Sequence, residues 1–203
     1  MSNDYARAVT SILDPRDHQH RTSSVRDATD ADVPAIQQIY AHYVRHTLST
    51  FEEEPPTVDE MRSRQAAVLR AGLPYLVAEA GGAVVGYSYA TVYRPRPAYR
   101  YTIEDSVYVA PDAQQRGVGR LLLSALIERC AAGPWRQMIA VIGNSNNTGS
   151  VTLHEKLGFR YVGTLTATGY KFGQWIDTAL MQREIGLGQH TAPELGSPED
   201  RQP

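Results

Sequence analysis

The stretch that decides the fold runs Ser106-Val107-Tyr108-Val109-Ala110-Pro111-Asp112-Ala113-Gln114-Gln115-Arg116-Gly117-Val118-Gly119-Arg120. Its first five residues read as the end of a strand. Past the glycines, Val118, Leu121, Leu122, Ala125 and Leu126 recur at i, i+3, i+4, i+7 and i+8, the spacing of a helix with one buried face. A strand, a glycine-containing turn and a helix start make an anion site, because the first N–H groups of a helix lack partners and its dipole favours negative charge. Gly117 and Gly119 allow close backbone approach to a phosphate, and Arg116 and Arg120 add positive charge. The turn lacks the Lys-Ser/Thr of a P-loop and the third glycine of the dinucleotide fingerprint. Glycines that only shape a strand–helix connection are the plainer alternative.

Outward from this turn, strands and helices alternate. Residues 24–28 read as a short strand, and a helix begins near residues 30–34, with Asp as cap and Pro34 tolerated in the first turn. Val33, Ile36, Tyr40 and Tyr43 give it an apolar stripe. Thr57 and Glu60 form a capping-box pattern for a second helix, which Gly72 ends. Residues 75–79 and 84–93 read as strands around Gly81-Gly82; Arg94-Pro95-Arg96-Pro97 then breaks the chain before a strand over 101–110. Beyond the long helix, stopped by Gly133 and Pro134, come a strand over 136–142 and a short helix over 148–157. Strands near 159–166 and 176–185 suggest a final hairpin. Strands separated by helices mean a mixed α/β sheet domain over 24–185. Residues 1–23 and 186–203 lack periodicity and read as a flexible leader and tail.

Composition narrows the function classes. The chain has 203 residues, enough for one ordinary domain, and its 42% hydrophobic and 21% charged content is that of a globular protein. A formal charge of −2 argues against a generally basic nucleic-acid binder. No apolar run approaches the roughly 20 residues of a membrane span, and the N-terminus lacks the apolar stretch of a signal peptide, so a cytoplasmic location is expected. The single cysteine, Cys130, excludes an intramolecular disulfide; beside Ala131 and Ala132 it reads as a buried small side chain. His18, His20 and His190 fall in the tails. His42 and His46 are four apart but have no evident third ligand, and no metal is expected. Ser150 lacks a nucleophile elbow, and Glu52-Glu53-Glu54 reads as a solvated connection. One bias stands out. There are 12 tyrosines against 3 phenylalanines, and Tyr87, Tyr89, Tyr93, Tyr99, Tyr101 and Tyr108 crowd together, as core or as the wall of a wet pocket.

Gln114-Gln115-Arg116-Gly117-Val118-Gly119 resembles the acetyl-coenzyme A pyrophosphate motif of the GNAT superfamily of N-acetyltransferases. The run from Asn147 through Leu153-His154-Glu155-Lys156-Leu157-Gly158-Phe159 resembles that superfamily's later cofactor-binding helix and strand. Together with Tyr101-Thr102-Ile103-Glu104-Asp105-Ser106-Val107-Tyr108-Val109 and Gly169-Tyr170-Lys171-Phe172-Gly173-Gln174-Trp175, these pieces are similar to the branch that acetylates phosphinothricin and methionine sulfone or sulfoximine. The resemblance covers residues 25–185. It implies a mixed, mostly antiparallel GNAT sheet flanked by helices, acetyl-CoA as cosubstrate without a metal, and a homodimer.

The resemblance also implies site residues. Val107 and Val109 would pair with the pantetheine arm, and the amides of Gln115, Arg116, Gly117, Val118, Gly119 and Arg120 would hold the pyrophosphate. Asn147 would contact the arm, and an N–H beside Val109 would bind the acetyl oxygen. Glu104, in an apolar strand, is expected as general base through burial, and His154 as proton relay or acid. Phe51, Arg96, Tyr99 and Tyr108 are the candidate acceptor wall, with Arg94 and Arg100 bracketing the same loop. The rivals are the same chemistry on a polyamine or protein N-terminus, and a non-catalytic acyl-CoA sensor. The latter is disfavoured because Glu104 and His154 are both present.

Overall fold

The computed structural model describes residues 23–193. Residues 1–22 and 194–203, which carry His18, His20 and most of the expected leader and tail, lie outside the described residues. In residues 186–193, Gly188 N–H donates to the Ile185 carbonyl (3.0 Å) in a turn, and Arg136 Nη1 donates to Thr191 Oγ1 (3.2 Å).

The elements run β1 (Ser24–Asp27), α1 (Val33–His46), α2 (Val58–Arg70), β2 (Tyr75–Ala80), β3 (Ala83–Val92), β4 (Thr102–Val109), α3 (Val118–Ala131), β5 (Gln137–Gly143), α4 (Thr148–Lys156), β6 (Arg160–Lys171) and β7 (Gln174–Glu184). The seven strands form one sheet in the order β1-β2-β3-β4-β5-β7-β6, antiparallel except for β4 beside β5. Helices cover both faces. Side chains alternate along a strand, so Tyr75, Tyr87, Tyr89, Glu104 and Tyr108 share the face under α1 and α2. Ile103, Asp105, Val107 and Val109 share the other face, under α3 and α4.

Local chemistry explains the starts and stops. Thr57 Oγ1 accepts from Glu60 N (3.2 Å) to cap α2, and Gly72, at φ +71°, lets the chain leave its C-terminus. Before α1, the buried Asp32 carboxylate accepts from Arg26 Nη1 (2.7 Å) and Nη2 (2.8 Å) and from Thr29 N (2.7 Å) and Oγ1 (2.8 Å). Those donors, Arg26 foremost, hold its carboxyl well below the usual carboxylate range. A depressed carboxyl adds stability above its unfolded value of about 3.9, lost as pH falls below it. Asp32→Ala should therefore lower the thermal midpoint near pH 7 by an amount worth about 1–2 kcal/mol, the scale of a lost N-terminal cap. Melts compared from pH 7 to 2 should show that gap closing at the acid end.

Two expectations are corrected. The buried stripe of α3 is Val118, Leu122, Leu123, Leu126, Ile127 and Cys130, while Leu121 is 38% exposed. Val118, Leu122 and Leu126 are buried as expected, but the buried face extends to Leu123 and Ile127 and leaves Leu121 out, because the sheet lies on that side of the helix. The last hairpin is also tighter than its apolar runs suggest: β6 continues to Lys171, and Phe172 (φ 50°) and Gly173 (φ 75°) make a two-residue turn.

Candidate active site

The parallel ladder between β4 and β5 ends at Asp105 opposite Ala140, although β4 continues to Val109 and β5 to Gly143. The strands therefore part, leaving a wedge-shaped gap. On its other edge β4 stays paired with β3 up to Val109 opposite Gly86. Ala110 N donates to Val85 O and Tyr93 N to Thr102 O, which fixes the alternation. Even-numbered residues of β4 bond to β3, and Val107 and Val109 turn their N–H and C=O toward the gap.

At the wide end of the gap sits the start of α3. Gly117 is its N-cap at φ +83°, a left-handed conformation that glycine adopts without strain. Gly119 lies where α3, β4 and α4 converge; a Cβ there would meet Leu153 Cδ2 at 3.3 Å and Val109 Cγ2 at 3.6 Å. Arg116 and Arg120 are exposed beside these unpaired amides. The Val109 edge carries a contact that no sequence pattern announced. Tyr43 Oη donates to Val109 O (2.7 Å) and accepts from Val109 N (3.3 Å) and Gln114 Nε2 (3.2 Å). Val107, one step deeper, lies past the last β4–β5 pair.

The connection from α1 to α2 crosses over the gap. A Cβ on Gly143 would strike the Leu48 and Ser49 carbonyl oxygens at 2.9 and 3.1 Å. Asn147 Oδ1 caps α4 by accepting from Ser150 N (3.2 Å), while its Nδ2 donates to Ser49 Oγ (3.4 Å). The connection is held by Tyr40 Oη, 2.9 Å from Thr50 Oγ1 and donating to Glu52 Oε1 (2.8 Å), and by the buried Lys171 Nζ, donating to Thr50 O (2.9 Å). The rings of Tyr40 and Tyr43 meet Tyr108 edge-on at 5.1 and 5.2 Å. Phe51 lies over Gly169, where a Cβ would come within 2.8 Å of its ring.

Glu104 is half-buried on the tyrosine face of β4. Burial first, then the Asp105 charge, push its carboxyl up to about 7, with Arg94 opposing. A cavity of about 380 Å³ between α2 and the sheet is lined by Tyr40, Arg64, Tyr75, Tyr87, Tyr89 and Thr91, and Thr91 lies opposite Glu104 across the β3–β4 ladder. Of the expected acceptor wall, Tyr108 lies in the tyrosine face beside Tyr40, Tyr43 and Tyr87, Phe51 lies over Gly169, and neither lines this cavity. Arg96 and Tyr99 stay on the exposed 94–100 loop, where Tyr99 packs against Tyr93 (5.7 Å), and Arg94 is the arginine whose charge reaches Glu104.

His154 is 4% exposed on the opposite face of the sheet. Its Nδ1 lies 2.7 Å from the Ser150 carbonyl oxygen and its Nε2 3.0 Å from Asp105 Oδ2. Burial pulls its pKa down, but the hydrogen bond and charge of Asp105, with the Ser150 carbonyl, raise it above the ordinary imidazole value. Sequence reasoning passed over Asp105; the available signal was a lone carboxylate in the inward series Ile103, Asp105, Val107. Cys130 is buried and its thiol is pushed up to about 12, which removes it as a nucleophile. Among the described residues no cluster of three His, Cys, Asp or Glu side chains forms a metal site.

The family model for an acetyltransferase (GNAT) domain matches residues 25–180. The chain is 59% identical over 171 residues to a phosphinothricin N-acetyltransferase of Alcaligenes faecalis, covering 84% of this chain and 87% of that protein. It is 38% identical to an L-methionine sulfoximine/L-methionine sulfone acetyltransferase of Salmonella typhimurium, covering 84% and 98%. A crystal structure of a GNAT superfamily phosphinothricin acetyltransferase from Sinorhizobium meliloti in complex with acetyl-CoA superposes with a TM-score of 0.84 at 45% identity, covering 89% and 97%.

Proposed function

The chain belongs to the GNAT acetyltransferase family and is an acetyl-CoA-dependent N-acetyltransferase, and on that premise we propose a direct transfer to the amine of phosphinothricin or methionine sulfoximine or sulfone, with Glu104 as general base. The observation that carries this reading is the juxtaposition at the gap: an open β4 edge at Val107 with Glu104, held near neutrality, on the adjacent face.

The residues present fit acetyl-CoA. The α3 amides and the two arginines suit a pyrophosphate, and the unpaired edge of β4 suits an amide-bearing arm. When bound, acetyl-CoA supplies an acetyl thioester, whose carbon takes the amine and whose sulfur leaves. An arm entering from α3 meets Val109 first and Val107 deeper. The Val107 N–H therefore serves as the oxyanion donor, while Val109, already satisfied by Tyr43, guides the arm. Glu104, close to half ionised at neutral pH, takes the amine's proton. The neighbouring tyrosines exclude water around it. Asn147, spent on capping α4 and on Ser49, fixes the crossing connection.

Arg94 supports an anionic acceptor over a polyamine. Besides Glu104, Glu52 at the Tyr40 hydroxyl is already held by Arg64 Nη1 (2.6 Å) and Nη2 (3.2 Å) and offers little to a cation. Thiol release measured across an amine panel tests the assignment. We expect release with phosphinothricin, methionine sulfone and methionine sulfoximine, and kcat/KM at least 100-fold lower with spermidine or an N-terminal peptide. Preference for spermidine would overturn the acceptor class, and tight cofactor binding with no release would favour a sensor. The homodimer implied by the resemblance and the cytoplasmic location expected from the sequence belong to this proposal; light scattering on the purified chain tests the dimer.

A further inference from the structure

The hydrogen bonds around His154 determine where its protons are. Nδ1 faces a backbone carbonyl at 2.7 Å, which accepts and never donates, so Nδ1 carries a proton. Nε2 faces a carboxylate oxygen at 3.0 Å in a buried setting. Two lone pairs facing each other there would repel, so a second proton lies between them. The hydrogen bond and charge of Asp105 favour the protonated imidazole, which places that proton on Nε2.

From this geometry, and resting on the acetyl-transfer reading above, we propose that Asp105 is a positioning residue that keeps His154 loaded as an imidazolium. The His154–Asp105 pair then gives a proton during the reaction and accepts none. Asp105 sits at the last paired position of the β4–β5 ladder, where the gap opens, with Glu104 next to it on the opposite face. The two proton tasks are thereby divided between the faces of one strand. Glu104 takes the amine's proton. On the other face the Nε2–H bond breaks, its electron pair stays on nitrogen, and the proton passes by way of the Asp105 carboxylate that it faces to the leaving thiolate, where an S–H bond forms. Solvent exchange then returns a proton from the Glu104 acid to the imidazole, and the cycle balances. Asp105 Oδ1 is buried without a hydrogen-bond partner among the described residues, so the carboxylate keeps one unused acceptor.

The other groups packed around the pair leave its charge state to Asp105. Cys130 of α3 is a neutral thiol, Met138 and Ala140 of β5 are apolar, and Phe159 meets the imidazole edge-on at 4.9 Å. Ser150 of α4 offers its carbonyl, with its Oγ 3.5 Å from Nδ1, and Arg183 of β7 donates to the Leu157 carbonyl at the far end of α4. Glu104 is the remaining titrating neighbour, through Asp105 across the strand.

Nitrogen-15 NMR of the imidazoles, with His154→Gln assigning the signal, should show both ring nitrogens of His154 protonated at pH 7 in the wild type. In Asp105→Asn the ring should be neutral at the same pH. The alkaline limb of the acceptor kcat/KM profile should move down by at least one pH unit in that variant, about tenfold in rate at pH 8; the acid limb also moves down, because Glu104 loses the Asp105 charge that raises it, and the acetyl-CoA KM stays within about twofold. A residue that only supports packing would lower the thermal midpoint and leave that limb in place. A neutral His154 in the wild type, or an unmoved alkaline limb in a folded Asp105→Asn, overturns the proposal. The wild-type titration needs neither substrate nor variant, so it decides the charge state even where the acceptor assignment fails.

Discussion

Glu104→Gln is expected to lower kcat/KM for the acceptor by roughly 10²- to 10⁴-fold, the contribution of a positioned general base. Acetyl-CoA affinity should stay within about twofold, because the amides and strand edge assigned to the cofactor lie elsewhere. The wild-type profile should rise with pH through about 7, as the base ionises, and that limb should vanish in the variant. Stability moves the opposite way. Burial favours the neutral carboxyl, so the folded chain keeps a proton that the unfolded chain releases above about 4.3, and wild-type stability falls as pH rises from there to about 7. The amide pays no such penalty. The variant should melt at or above the wild-type temperature at pH 8, with the difference shrinking toward pH 4. A rate loss accompanied by a lower melting temperature would assign Glu104 to folding instead of chemistry. Unchanged kcat/KM across pH would remove it from the base role altogether.

How far the sequence carried these assignments depended on whether the signal was local. The helix after Gly117 was legible because its periodicity and its left-handed cap are properties of a few adjacent residues. The same holds for the Gly81-Gly82 hairpin and the Thr57 cap. Which stripe of α3 would be buried was not local, since Leu121 and Leu123 are equally apolar and only the position of the sheet separates them. The Phe172-Gly173 turn was obscured because phenylalanine rarely takes positive φ, so nothing marked the first turn position.

The site divides in the same way. Glu104 was legible as a carboxylate in an apolar strand, and its raised pKa follows from that burial. Tyr43 was read as one more position of an apolar stripe, yet its hydroxyl closes the Val109 edge 66 residues away. Pairing across such a separation leaves no trace in periodicity. Asp105 was hidden for a related reason. Its partner His154 arrives from α4, 49 residues on, so a charge that looks misplaced in the strand is satisfied only once the layers are stacked. The tyrosine excess resolves into a plane of Tyr75, Tyr87, Tyr89 and Tyr108, with stacked rings 4.9 to 6.1 Å apart, bounded by Tyr40 and Tyr43. Tyr93 and Tyr99 pair outside it.

Gly86→Val should damage stability and cofactor binding together. Gly86 sits on β3 opposite Val109, and a Cβ there would lie 2.9 Å from the Tyr108 carbonyl oxygen, 3.0 Å from Leu122 Cδ1 and 3.2 Å from Val118 Cγ1. The first of these is backbone in a hydrogen-bonded ladder and yields only if β4 moves. The other two belong to the first turns of α3. Overpacking of this kind costs about 1–3 kcal/mol, which for a domain of this size lowers the thermal midpoint by roughly 2–12 °C. The displacement has a direction as well as a cost. It pushes β4 and the start of α3 apart at the two surfaces assigned to the arm and the pyrophosphate, so acetyl-CoA affinity should fall by about tenfold or more while the chain remains folded. Gly163→Val is the matched control, because nothing lies within 4 Å of a Cβ at that position on β6, and both quantities should stay near wild type. Calorimetry read beside acetyl-CoA titration separates the two effects. A destabilised Gly86→Val that binds acetyl-CoA as tightly as the wild type would mean that the cofactor does not lie between β4 and α3.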